Sequence, residues 1–466
     1  MMARIGLLPL ARATFDVPYA EALYGKLRRG LLAAGHDLVS GDALLFDAPA
    51  TEAALAAMTG EPLDLLLIVQ VTFTDATMTV KIADEADAPL AIWSLPEPRT
   101  GGRLRLNAFC GLNLAAHALG LNDVAFGWVH ADPATTDVGA LAGDLLAGNR
   151  QANALPLAPA EAGEVERAGA RALLARIAGS RIGRIGERPD GFFTCDYDSE
   201  RLESLAGVSV EPIALDALFD AARNADAGAV GEARAEAGAT LGDLDTVDQD
   251  QLDRSLRLRA ALEDVRATGG YSAFAVRCWP EMFTQYGGAV CGPVGMMGER
   301  RVPCACEADV HGALTNLFLQ EMTGEAAFLV DLVDLDAEDG TAVVWHCGQA
   351  PVSMRDETVI AKAAIHSNRK MPLLFEFPLK PGRVTFARIS QARGHPTMVI
   401  AGGQMQRRPL AFSGTAGVLA FDAAIETVAE TIIGAGLEHH LSLVYGDHRP
   451  ALRALAAEIG LPVLEF

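Results

Sequence analysis

The chain has 466 residues, half of them hydrophobic, and a formal net charge of −22. That length exceeds what a single core organises and sets an expectation of about three domains. An acidic balance with no Lys/Arg cluster repels phosphate backbones and anionic headgroups, so nucleic acid and membrane surfaces are not expected as partners, and a neutral small molecule fits better than an anionic one.

Residues 5–9 read as a buried strand, 19–34 as a helix, 65–71 as a strand, 75–86 as a helix and 89–93 as a third strand, followed by a helix at 111–119 and a strand at 124–129. This alternation predicts a parallel α/β sheet. Ligands of such sheets gather at the carboxyl ends of the strands, here the segments 11–16, 72–75 and 94–97. The apolar stretch 63–71 is far shorter than the ~20 residues of a membrane span, and seven scattered cysteines point to reduced thiols. The expected compartment is the cytoplasm.

An Ala- and Pro-rich stretch at 153–162 marks a boundary. Beyond it a second α/β unit is expected: helix 164–177, strand 181–186, helix 200–206, strand 208–213, helix 217–224, an acidic segment 225–266 ending in a long helix with solvent-facing charges, and strand 272–277. Residues 304–307 lead into a helix at 310–321, and 326–335 reads as a strand. From 341 onward short alternating strands at 341–346, 372–378, 384–391 and 398–401 lie between Gly and Pro turns, which predicts an antiparallel barrel or sandwich. A helix at 421–433, a strand starting at His439-His440 and a helix at 449–459 close the chain. The fold class is therefore α/β, with two doubly wound α/β domains (1–160 and 161–338) followed by a β-rich, barrel-like domain (339–466).

Three strings carry the chemistry: Cys278-Trp279-Pro280-Glu281, Cys306-Glu307-Ala308-Asp309-Val310 and Glu438-His439-His440. Each sits where a strand ends or a helix begins, so that Glu281, Asp309 and a C-terminal histidine are expected to converge on one divalent metal. Two carboxylates and an imidazole suit Mn²⁺, Fe²⁺ or Zn²⁺ and leave positions open for substrate. Taken singly, each acid has a plain explanation as a helix N-terminal charge. Their apolar, thiol-rich neighbours argue for more, because burying two carboxylates there costs several kcal/mol unless a cation compensates. Cys304-Ala305-Cys306 has C-x-C rather than zinc-ribbon spacing, and core thiols are the expected reading. Adjacent histidines on a strand point to opposite faces, so only one of His439 and His440 is expected at the site. His346 and His366 are further candidates to bind a substrate hydroxyl. No glycine pattern matches a nucleotide-binding loop.

Residues 277–281, 306–315, His346-Cys347-Gly348 and His439-His440 together resemble the L-fucose isomerase/L-arabinose isomerase superfamily, as a divergent member. The resemblance covers most of the chain and is strongest from Ser272 onward. It implies a ketol-isomerase moving a proton between C1 and C2 of an open-chain sugar through an ene-diolate. It also implies Mn²⁺ or another divalent cation held by Glu281, Asp309 and His440, with His439 as the alternative ligand and the two acids as proton carriers. Trp279, His346 and His439 become candidates for contact with the sugar. The resemblance also implies a homo-oligomer, with a trimer-based assembly as one form it could take. A non-catalytic sugar-binding relative and a metal-assisted hydrolase or aldolase are the competing readings.

Overall fold

Three sheets order the chain, and their strand ends meet at one pocket. The computed structural model describes residues 2–58 and 60–466. The first sheet is wholly parallel, in the spatial order Asp37–Val39, Arg4–Leu10, Leu65–Gln70, Leu90–Ser94, Phe126–His130. All six residues of Leu65–Gln70 are buried, as an uninterrupted apolar strand must be when helices cover both faces of its sheet. Chain direction around the sheet reverses between Arg4–Leu10 and Leu65–Gln70, which makes their carboxyl ends the crevice where ligands settle. Arg12 and Phe73 follow those ends.

The second sheet runs Ser209–Ile213, Arg181–Ile185, Ala273–Val276, Cys304–Cys306, again all parallel. Helix Val310–Thr323 returns from its last strand. Asp309 caps that helix by accepting the Gly312 N–H at 2.9 Å, and Gly324, in the left-handed region at φ 74°, ends it. The acidic segment is less solvated than its composition suggests. Helix Gln249–Gly269 buries Leu252, Leu256, Leu258 and Leu262, and it also buries Arg259, which Glu236 and Glu263 hold at 3.7 and 3.5 Å.

In the third sheet six strands close on themselves: Thr415–Phe421, Thr341–His346, Phe328–Asp336, His440–Tyr445, Gly382–Ser390 and Thr397–Gln406, the last pairing back onto Thr415–Phe421. Closure removes the exposed edges of the sheet and gives the barrel-like unit expected from the sequence. Lys362–Ala364 and Leu374–Pro378 flank one side and Val463–Glu465 the other. Strand Phe328–Asp336, which a boundary at 338 assigns to the middle domain, pairs its backbone with two strands of this barrel. The helix expected from 421 begins at Ile425, because Thr415–Phe421 is a strand. Its Thr-Ala-Gly start has weak strand propensity, and its state is set by pairing with three neighbours.

The closing seam is tight. A Cβ on Gly403 would lie 2.8 Å from the Ala420 carbonyl oxygen, opposite Phe421. Gly403→Val is expected to lower stability by about 1–3 kcal/mol, the usual cost of overpacking. Urea unfolding followed by circular dichroism checks this, and an unshifted midpoint would show that the seam yields freely.

Candidate active site

The site starts from a buried guanidinium. Arg388, on strand Gly382–Ser390 with its side chain 1% exposed, donates to both oxygens of Asp309 at 2.7 and 3.1 Å and lies 3.3 Å from Glu438. Asp309 Oδ2 also receives His440 Nδ1 at 2.9 Å. Burial works to raise the Asp309 carboxyl, but the Arg388 charge and the His440 hydrogen bond override it and hold the group well below the ordinary aspartate value. The carboxylate can only accept, so His440 Nδ1 carries the proton and Nε2 presents a bare lone pair. Burial, then the neighbouring His439, push the His440 pKa down and keep the ring neutral.

That lone pair faces two carboxylates. Asp331 Oδ1 lies 3.4 Å and Glu307 Oε2 3.8 Å from His440 Nε2. Asp331 is buried on strand Phe328–Asp336, directly opposite His440 on the adjacent antiparallel strand, and its Oδ1 has no hydrogen-bond partner. Glu307 accepts from His439 Nε2 at 2.9 Å and from Trp279 Nε1 at 3.0 Å. Burial pushes its carboxyl up, but the hydrogen bond from His439 and the nearby imidazoles outweigh that and leave it below the usual glutamate range. Glu307 and Ala308 both sit in the left-handed region, at φ 59° and 56°. Two consecutive non-glycine residues there are a strain that concentrates at functional sites, and it turns the Glu307 side chain out of the strand end toward the barrel.

Three groups of donors with ligand atoms within 4.8 Å of one another all contain His440: Glu307 with His439, Asp331 with His346, and Cys195 with Asp309. The structure thus joins Asp309 to His440, but with Asp309 already engaged by Arg388, His440 and the Gly312 N–H. Glu281 belongs to none of the groups among the described residues. Its two oxygens are taken by Arg277 at 2.6 and 2.8 Å, a pairing between neighbours four apart that the strand-end position favours. His439 also departs from expectation. It lies in the bend before strand His440–Tyr445 rather than in the pleat, so both rings turn to the site with centroids 3.8 Å apart.

His346 Nδ1 accepts the Cys347 N–H at 2.9 Å, which leaves the ring proton on Nε2, buried and without a partner. Trp279, His346, His439, Glu307 and Asp331 line one pocket together with Arg12, Phe73, His366 and Arg369. Cys278, Cys291, Cys306 and Cys347 form part of its wall, with Sγ–Sγ contacts of 2.6 Å for Cys278–Cys306 and 3.4 Å for Cys291–Cys347. All seven cysteines are free, and neither Cys304 nor Cys306 belongs to a metal-compatible group among the described residues. A larger cavity bordered by Trp128, His130 and Glu430 shares no residue with this pocket.

Residues 6–149 match the profile described as fucose/sulfoquinovose isomerase, N-terminal domain. The chain is 30% identical over 448 residues to a sulfoquinovose isomerase of Priestia megaterium, with 94% of each chain covered. The chain belongs to the fucose/sulfoquinovose isomerase family. A sulfoquinovose isomerase of Alkalicoccus urumqiensis is 29% identical over the whole of both chains, and one of Clostridium sp. is 30% identical with 97% of each covered. The family makes this chain an aldose–ketose isomerase, an intramolecular oxidoreductase, and the names of its relatives favour neither a non-catalytic protein nor a hydrolase or aldolase. An ABC transporter solute binding protein from Burkholderia multivorans covers 70% of this chain and 95% of its own at 12% identity with a TM-score of 0.19, too low to bear on the fold. Among the described residues no helix is long and apolar enough to cross a membrane.

Arg388→Met would leave Asp309 and Glu438 buried without their counter-charge. A loss of about 3–5 kcal/mol is expected, as when one partner of a buried ion pair is removed. Chemical denaturation measures it, and a loss below about 1 kcal/mol would mean that water reaches the two acids.

Proposed function

We propose that this isomerase moves a hydrogen between C1 and C2 of an open-chain sulfonated aldose, sulfoquinovose by analogy with its relatives, through an ene-diolate and with the help of a divalent cation. One observation supports the metal reading: the bare His440 Nε2 faces a carboxylate oxygen on two sides, Asp331 Oδ1 at 3.4 Å and Glu307 Oε2 at 3.8 Å, and it is the donor shared by the two metal-compatible groups that hold these acids. Such an arrangement repels itself unless a cation lies among them. Two carboxylate oxygens and a neutral imidazole fit Mn²⁺ and similar dications, and Glu307, Asp331 and His440 would hold the ion. Asp309 would serve as the orienter of His440, the role that a carboxylate behind a ligating histidine usually has. When bound, the cation supplies Lewis acidity that polarises the sugar's carbonyl and hydroxyl oxygens.

The chain's own groups account for the rest. Glu307 and Asp331 are the carboxylates positioned to take the proton from one carbon and return it to the other. His346 Nε2–H is a buried donor with no protein partner and is suited to a sugar oxygen. Phe73, Trp279 and the Phe192 ring packed edge-on against Trp279 keep water from the reacting carbons. The homo-oligomer implied by the resemblance remains part of this proposal and is read by sedimentation.

Metal analysis and solvent-deuterium uptake at C1 or C2 test the reading. Chelation is expected to abolish exchange and Mn²⁺ to restore it. Glu307→Gln and Asp331→Asn should each lower kcat by about 10²–10⁴-fold, the range for removing a positioned acid or base, and should lose the bound ion. Glu281→Gln, which breaks only a partly exposed pair with Arg277, should stay within about tenfold of the parent. Full turnover by the metal-free protein, or by both site variants, refutes the proposal.

A further inference from the structure

A composition of −22 gives no hint of a cation-lined pocket, yet two guanidinium groups approach the Trp279 ring: Arg12 at 5.2 Å and Arg369 at 5.6 Å from its centroid. Their situations differ. Arg12 is neutralised by Asp75. Arg369 has no carboxylate within ion-pair distance among the described residues, although burial and the Arg12 charge both push its guanidinium pKa down. A half-buried cation beside a second cation is costly unless an anion joins them. Its position is also fixed locally. The N–H groups of Asn368 and Arg369 both donate to His366 Nδ1, at 3.2 and 3.3 Å, and the His366 ring packs edge-on against Phe283. The turn that carries Arg369 is therefore stapled to its own imidazole and to the pocket wall.

Trp279 links this cation to the reacting end of the pocket. Its Nε1 donates to Glu307 while its ring faces Arg369. A sugar with its carbonyl at Glu307 and His440 that extends along the indole brings its far terminus to the guanidinium. We propose that Arg369, assisted by Arg12, is the subsite for a sulfonate on the sugar terminus remote from C1. This rests on the isomerase reading above. A guanidinium suits the task because its planar fork of donors matches the oxygens of a tetrahedral oxyanion.

The test compares the parent enzyme, Arg369→Ala and Arg369→Lys on sulfoquinovose and on glucose, its neutral counterpart. Arg369→Ala is expected to lower kcat/KM for sulfoquinovose by about 30-fold or more, mainly through KM, as loss of a charged hydrogen-bond partner implies, and to change the glucose value by less than about threefold. Arg369→Lys should recover part of the loss. An equal fall on both sugars, with metal content and melting temperature unchanged, would make Arg369 merely structural, and no fall on sulfoquinovose would remove it from the site. Glucose 6-phosphate converted as well as sulfoquinovose would overturn the assignment to a sulfonate. Calorimetric binding of ethanesulfonate separates the two readings. If the parent binds it and Arg369→Ala does not, the subsite stands even when sulfoquinovose is not turned over. If sulfoquinovose is turned over and ethanesulfonate binds both proteins equally, the subsite falls while the isomerase reading survives.

Discussion

The contact between Arg388 and Asp309 governs the site. With both side chains 1% exposed, the pair is worth little as a source of stability, since desolvating two ions consumes most of their attraction. Its value is in orientation. Asp309 held by Arg388 on one side leaves an oxygen for His440 Nδ1 on the other, and so decides which imidazole nitrogen keeps its proton. The same carboxylate caps helix Val310–Thr323, which ties the direction of an imidazole on the barrel to the start of a helix on the second sheet.

Each sheet then supplies a different part. The crevice of the first sheet gives Arg12 and Phe73, the strand ends of the second give Trp279 and Glu307, and the barrel gives Asp331, His346 and His440. The indole of Trp279 is the common wall, hydrogen-bonded to a carboxylate at its edge and faced by guanidiniums. Polarity along the pocket therefore runs from clustered acceptors near His440 to cations near Arg369. A substrate that is electrophilic at one end and anionic at the other matches that gradient.

Much of this architecture was legible in the residues. Buried parallel strands such as Leu65–Gln70 announce themselves as apolar runs, and the Gly- and Pro-punctuated alternation after 341 foretold the closed barrel. The segment 306–310 and the histidine pair, both conspicuous in the sequence, lie against each other in the fold. What periodicity did not separate was Glu307 from Asp309, because their directions depend on two left-handed residues that no spacing rule anticipates in a Glu-Ala pair. Glu281 looked equivalent to them until Arg277, four residues away, was seen to occupy it. Asp331 carries a signal of its own in the sequence: an acid in the middle of the apolar strand sequence FLVDLVDLD, where an unpaired charge is expensive. Arg388 stands out in the same way within GRVTFARIS. Arg369 carried none, since its lack of a partner exists only once the chain has folded.

Dispersal of the donors has a consequence for biogenesis. Glu307 is synthesised before Asp331, and His440 arrives near the end, on a strand that must insert between Phe328–Asp336 and Gly382–Ser390. On the proposed ligand set, no partial chain lacking that insertion would bring the three donors together, so a dication would find its full site only once the barrel has shut.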